Sequence, residues 1–298
     1  MADVLVVGGI FREVLGRRDG NPEIRLAGSA LTAAVAASRL GVSVALASFV
    51  GSEDVDSVNA LLEHASVDGL LVVLDGASGT FAYEDAAAVQ PRPLYRPAET
   101  CPTELPPLPE ARVVLVFGVP DFDPVRDQAV SRAVGRSTIF LWDRQGWLSR
   151  TRDAKAAGAL EAASRVLLIN SGEAIDEGIL DPLTGEICLP GGYARAVIKD
   201  GTHGVLVLET EGEYRRSLVP VFPVNASSTV GSGDLFGGVT AACLAAGNDL
   251  VYSARLAAAA TSIVLASGDT FAPPDLSALA LNTLNKSEGH LQWRWPLV

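Results

Sequence analysis

Basic residues, cysteine and uninterrupted apolar runs are scarce in this sequence, and each shortage excludes something. The 298 residues carry 23 Lys and Arg against 35 Asp and Glu, a net charge of −12. So acidic a chain repels phosphate backbones and anionic lipid surfaces, so no nucleic-acid partner is expected. An anionic ligand would have to be held against that field by a local device such as a helix N-terminus. The three cysteines, Cys101, Cys188 and Cys243, are odd in number, far apart and without CxxC spacing. Neither a disulfide framework nor a structural zinc site is therefore expected, and a reducing, cytoplasmic compartment fits best. The opening MADVLVVGGI has no basic residue ahead of its apolar run, and Arg39 and Gly41 interrupt the stretch from Leu31 to Val50. That pattern predicts neither a signal peptide nor a membrane span. With 48% hydrophobic and 19% charged residues, the chain has enough apolar surface for a large core and is not a disordered one.

What the sequence does hold is an alternation of short apolar runs, bounded by Gly, Pro or Asp, with Ala-rich stretches of helical length. This is the pattern of βα units on a mostly parallel sheet. Strands are expected at VLVVGG from Val4, SVALASFVG from Ser43, GLLVVLD from Gly69, RVVLVFGVP from Arg112, STIFLWD from Ser137 and RVLLIN from Arg165. Helices are expected from about Ser29 to Leu40, Glu53 to Ala65, Pro124 to Val134, Ala154 to Ala163, Ser232 to Ala246 and Asp249 to Ser267. Two polar segments, Phe11 to Leu26 and Ser78 to Pro97, interrupt the rhythm. They suit either a small β lid over one edge of a single domain or ordinary surface loops. PTELPPLPE reads as a stiff connector, and LQWRWPLV at the end as an extended tail.

The strongest chemical signal is TVGSGDLFGGVTAACLAAG, from Thr229 to Gly247. The strand-like VPVFPV precedes a glycine-rich turn that opens into a helix of small and apolar residues. Gly231 and Gly233 free the backbone around Ser232, so that successive N–H groups can converge on one oxyanion at the positive end of the helix dipole. Asp234 sits at the same helix start. A carboxylate there would repel a permanently bound phosphate, whereas a transferring phosphoryl group needs both parts. The amides stabilise its charge, and the carboxylate accepts the proton of the attacking hydroxyl. Taken alone, GSGD also suits a plain helix cap.

TVGSGDLFGGV resembles the second signature of the ribokinase/PfkB family of carbohydrate kinases, DTxGAGDxFxxG. AGSALTAAVAASRLG, from Ala27, resembles its first signature. LLINSGEA resembles its NxxE motif through Asn170 and Glu173, and VIKDGTHGVLVL resembles its strand-turn-strand beside the nucleotide through Gly201 and Gly204. All four follow the family order across nearly the whole chain. The resemblance implies a ribokinase-like α/β fold, with a mostly parallel central sheet flanked by helices and a small β lid. It implies ATP and Mg²⁺, and transfer of the γ-phosphate to an alcohol of a small sugar or polyol. A nucleoside kinase and a catalytically retired ligand-binding homologue are the alternatives. Asp234 would be the base, and the amides of Gly231, Ser232 and Gly233 the anion hole. Glu13, Gly28, Ser29 and Thr32 would bind the acceptor. Asn170, Glu173, Lys199, Gly201 and Gly204 would face the nucleotide, with Glu173 reaching Mg²⁺ through water. The small residues from Ala257 to Ser262 would flank the adenine or else serve close helix packing. A homodimer paired through the lid is a family arrangement.

The sequence also departs from that pattern. The first signature begins Ala27-Gly28, and Thr32 replaces the family Asn, one polar group fewer. Glu13 stands where a sugar-binding Asp is usual, with Arg12 beside it as a rival partner. Lys199 replaces a common Thr. Ser228 and Val230 replace the Asp and Thr whose oxygens some members use for a monovalent cation, so potassium activation is not expected. Asp143, Arg144 and Gln145 lie at a strand end where ligands gather in open α/β sheets; for Arg144 a phosphate contact and a surface salt bridge are equally open.

Overall fold

The computed structural model describes residues 1–16, 22–84, 94–100, 104–120, 122–144, 160, 164–210 and 215–287. Along the chain run β1 (Ala2–Val7), β2 (Phe11–Leu15), β3 (Glu23–Ala27), α1 (Ser29–Ser38), β4 (Val44–Gly51), α2 (Val55–Ala65), β5 (Val67–Leu74), β6 (Thr80–Tyr83) and β7 (Leu94–Arg96). They are followed by β8 (Ala111–Phe117), α3 (Gln128–Arg136), β9 (Ile139–Asp143), β10 (Ser164–Asn170), α4 (Ser171–Asp176), β11 (Arg195–Lys199), β12 (Val205–Glu209), β13 (Arg215–Val219), α5 (Ser232–Ala245), α6 (Leu250–Ser267) and α7 (Leu276–Ser287). The helix expected over 154–163, Gln145 and the tail from 291 lie outside the described residues.

Nine strands form one sheet in the order β13-β12-β11-β10-β9-β8-β1-β4-β5. It is parallel from β5 to β11, and β12 runs antiparallel to both neighbours. Continuous apolar runs build its centre because a parallel strand covered on both faces has no wet side. Val4–Val7, Val113–Phe117 and Val166–Ile169 are accordingly buried throughout. One face packs against α1, α2, α5, α6 and α7, the other against α3 and α4. Helix α6 is long and apolar enough to cross a bilayer, yet over half of it is buried inside the fold, as a core helix is. A second sheet, β3-β2-β6-β7, stands apart from the first. The two polar segments that interrupt the βα rhythm supply its strands, and Phe11, Phe81 and Tyr95 stack within it, with ring centroids 4.7–6.0 Å apart.

Three local expectations need correction. VPVFPV is strand only at Val219, and residues 220–230 have no regular structure, because Pro220 and Pro223 cannot donate to a ladder. The third helix begins at Gln128 rather than Pro124; the Asp127 carboxylate accepts from Val130 N–H at 3.0 Å and sets the start. The sequence reading also omitted α4 and α7.

Strand order reverses beside β1, whose neighbours β4 and β8 carry the chain outward in opposite directions. Ligands bind outside the carboxyl ends of strands at such a point. Gly8 follows β1 there, and Gly28 turns the chain from β3 into α1. A Cβ on Gly28, at φ 104°, would lie 2.7 Å from Gly9 O, so only glycine serves.

Candidate active site

Helices α1 and α5 bring their N-termini together above the switch point. Their contact is tight at Gly238, where a Cβ would lie 2.2 Å from Ala33 O. Gly231, with φ 84°, is the N-cap of α5. The space in front of it faces Thr32 of α1, 3.8 Å from where its Cβ would be. Ser232 N–H closes a turn onto Thr229 O at 3.2 Å, and Asp234 lies in the first helical turn. A cleft lined by Arg25, Thr32, Ser227, Ser228, Gly231 and Ser232, among others, opens beside this turn and continues along α6 to Thr270.

Behind the turn, the strand ends supply charge. Lys199, last in β11, donates from Nζ to Asp143 Oδ2, last in β9, at 2.7 Å, and its ammonium sits 3.4 Å from where a Gly233 Cβ would be. Burial works against that ammonium, but Asp143 first, then Glu173 and Asp234, outweigh it and hold Lys199 above its ordinary range. Between these two strands, Asn170 ends β10 and caps α4. Its Oδ1 accepts from Glu173 N–H, and Glu173 Oε2 accepts from Asn170 N–H, both at 2.9 Å, a reciprocal capping box. Desolvation, then the Asp143 charge, pushes the Glu173 carboxyl up, against the pull of the Asn170 N–H, Lys199 and Arg144. Arg144 is not a surface pair: its Nε meets Glu177 Oε1 at 2.5 Å, with side chains 6% and 13% exposed.

The second sheet contributes its own charges. Glu13, 3% exposed, is neither a surface charge nor paired with Arg12. Its Oε2 accepts from Nε and Nη2 of Arg25, at 2.9 and 2.8 Å, and its carboxylate also accepts from Gly28 N–H at the start of α1. Burial pushes the Glu13 carboxyl up all the same. Arg12 instead forks onto Asp54 at 2.9–3.0 Å and reaches Glu53 at 3.0 Å. Tyr83 of β6 has its hydroxyl pushed up by burial, then by the charges of Glu13 and Asp234.

The expected site residues thus fall into one band. Glu13, Gly28, Ser29 and Thr32 lie on one side of it, towards the second sheet, Gly231, Ser232, Gly233 and Asp234 at its centre, and Lys199, Asn170 and Glu173 beneath. Gly201 and Gly204 stand further out, in the turn beyond Lys199. A Cβ on Gly204, at φ 111°, would meet Val219 O at 2.7 Å, which gives that glycine a fold-building duty. Arg25, Tyr83 and Thr270 escaped the sequence reading. Only the strand register, which sets Arg25 opposite Glu13, exposes the first of them.

The pfkB family carbohydrate kinase model matches residues 186–276, a stretch that includes Lys199, the glycine turn and Asp234. None of the curated proteins matches the sequence. Among solved structures, the ribokinase of Cryptococcus neoformans var. grubii serotype A in complex with ADP is similar, with 20% identity, a TM-score of 0.73, and coverage of 94% of this chain and 99% of that one. The aminoimidazole riboside kinase of Salmonella enterica, complexed with aminoimidazole riboside and an ATP analogue, shares 16% identity at a TM-score of 0.71 over 94% and 99%. The Burkholderia thailandensis nucleoside kinase in complex with inosine shares 15% at 0.71 over 97% and 100%. The chain thus resembles the pfkB family carbohydrate kinases over residues 186–276 and has a ribokinase-like fold over nearly its whole length.

Proposed function

We propose that this protein transfers the γ-phosphate of ATP to an alcohol group of a small sugar or polyol. One observation carries the reading: Asp234 lies in the first turn of α5, three residues after a left-handed Gly231, with the Lys199 ammonium against Gly233. A hydroxyl held between Thr32 and Asp234 loses its proton to that carboxylate as it attacks. The Gly231 and Gly233 amides, the helix dipole and Lys199 hold the charge of the group in transit. The second sheet acts as the lid that excludes water.

Among the described residues no group of three or more His, Cys, Asp or Glu forms a metal cage. Mg²⁺ needs none, since it keeps most of its waters and is held by one or two carboxylates plus phosphate. Glu173 fits that part, reaching through water an ion that arrives with the nucleotide. When bound, Mg²⁺ would supply positive charge against the charge that develops on the transferring group. Asn170 keeps α4 in place, Glu13 faces the acceptor, and Gly201 and Gly204 shape the nucleotide-side turn. The small residues from Ala257 to Ser262, largely buried, serve close helix packing. A cytoplasmic location, and a homodimer through a lid whose surface exposes Ile24 and Leu94, accord with this reading.

A nucleoside acceptor is the second reading. The lid's aromatic group of Phe11, Phe81 and Tyr95 favours it, since flat rings stack on such a wall. The purified protein with Mg·ATP and a panel of sugars, polyols and nucleosides tests both. ADP release is expected to depend on one acceptor class and to fall by about 10²–10⁴ in Asp234→Asn with the fold intact. Nucleotide binding without turnover on any acceptor would refute the kinase and favour a ligand-binding homologue.

A further inference from the structure

Arg25 is a lid residue, yet its guanidinium leaves the lid. It lies opposite Glu13 in the β2–β3 register and takes that carboxylate with Nε and Nη2. Nη1 reaches Thr270 Oγ1, beyond α6, at 3.3 Å, and Nη2 lies 3.5 Å from Val230 O, in the peptide that leads into Gly231. The side chain is 14% exposed and lines the cleft beside the glycine turn.

We infer that Arg25 is a positioning residue that sets the anion cradle from the lid, by holding the carbonyl of the Val230–Gly231 peptide. This rests on the kinase reading above. In a planar trans peptide the carbonyl and the following N–H point in opposite directions. A cation drawn to Val230 O therefore fixes the direction of Gly231 N–H. Gly231 has no side chain to steady its own turn, and its positive φ belongs to a backbone with many accessible states. Glu13, held by the same guanidinium, also accepts from Gly28 N–H. One side chain thereby links the lid to both helix N-termini that meet at the cleft. When the lid lifts, Arg25 leaves with it, and the cradle loses its brace just as reactants exchange.

The γ-phosphate is what the cradle grips, so the ratio of Mg·ADP to Mg·ATP dissociation constants reads it without any acceptor. Calorimetry on the full chain should give tighter binding of Mg·ATP in the wild type. In Arg25→Ala the ratio should shrink about tenfold, less than the 10²–10³ lost when an oxyanion donor is removed outright. Mg·ADP affinity should hold. Millimolar guanidinium chloride should restore the ratio, sodium chloride at equal ionic strength should not, and Arg25→Lys should recover it in part. Because Arg25→Ala strands a buried Glu13 carboxylate, Glu13→Gln/Arg25→Ala removes both charges together and should show the same narrowed ratio in a folded protein. An unchanged ratio in the folded variants, or equal weakening of both nucleotides, overturns the inference and leaves the kinase reading standing. A wild type that binds both nucleotides alike overturns the inference alone; one that binds neither overturns the kinase reading and the inference with it.

Discussion

Replacing Lys199 by Met tests the charge arrangement under the glycine turn. Its ammonium lies 2.7 Å from Asp143 Oδ2, with the two side chains 15% and 2% exposed. Without it, Asp143 is left buried beside the like charge of Glu173. Losing one partner of a buried pair costs about 3–5 kcal/mol. At about 2 °C per kcal/mol for a chain of this size, Tm should drop by roughly 6–10 °C. Asp143→Leu should cost less, because Lys199 keeps Glu173 and Asp234 as counter-charges. The double variant, with no orphaned charge from the pair, should return to within about 2 kcal/mol of wild type. The pH dependence has a definite sign. Without Lys199 the Glu173 carboxyl, already raised by burial, loses one of the charges that pull it down, so its contribution is present below the unfolded pKa and lost as pH rises through the folded one. The deficit of Lys199→Met should therefore be larger at pH 8 than at pH 5, in urea unfolding with linear extrapolation. Turnover should stay low in the double variant, since restored stability does not replace the ammonium against Gly233. The reasoning fails if Lys199→Met unfolds within about 1 kcal/mol of wild type at pH 8, or if the double variant is as unstable as the single.

Gly238→Ala sets a Cβ 2.2 Å from Ala33 O and 2.7 Å from its Cα. Backbone cannot yield as a side chain does, so the cost should reach about 3 kcal/mol, past the gain in helix propensity of about 1 kcal/mol. As α1 moves, Thr32 moves with it, and the acceptor KM should rise; thermal unfolding and steady-state kinetics check the two. Glu173→Gln keeps an acceptor for Asn170 N–H while removing a carboxyl that burial holds above its ordinary range. That raised pKa makes the ionised group a burden at neutral pH that disappears as pH falls below both values. The variant should match or exceed wild-type Tm at pH 7, lose that margin near pH 4, and lose Mg·ATP turnover; a clear loss of stability at pH 7 would sink the argument.

Legibility in the sequence followed the range of the forces involved. The runs at Val4–Val7 and Val113–Phe117 announce themselves because a strand buried on both faces must be apolar at every position. The glycine turn was legible for a related reason, as the left-handed Gly231 and the helix start that follows it are set within four consecutive residues. VPVFPV misled because hydrophobicity was weighed without its two prolines, which deny the ladder its donors. The short α4 is held by a capping box of only two side chains, too little periodicity to detect. The partner of Glu13 was not legible: its neighbour in sequence, Arg12, points to Asp54, and Arg25, which holds it, stands twelve residues away across a hairpin. Pairings of that kind exist only once register is known.

If the proposed function holds, the distribution of charge explains how so acidic a chain would hold a polyphosphate. Of its few cations, Arg25, Lys199 and Arg144 are spent inside the site, each against a carboxylate: Glu13, Asp143 and Glu177. Had they stood bare, they would attract any anion; paired, they leave the pocket near balance before the nucleotide arrives. The net pull then comes from oriented dipoles, the glycine-lined start of α5 and the start of α1, which are fixed by the fold and need no counter-ion. Carboxylates that share the pocket with such dipoles tolerate a phosphoryl group only while its charge is divided between amides, ammonium and an accompanying divalent ion. On the proposed reading, such an arrangement grips a group in transit more firmly than one at rest, which accounts for Asp234 in the first turn of a glycine-capped helix in a protein of net charge −12.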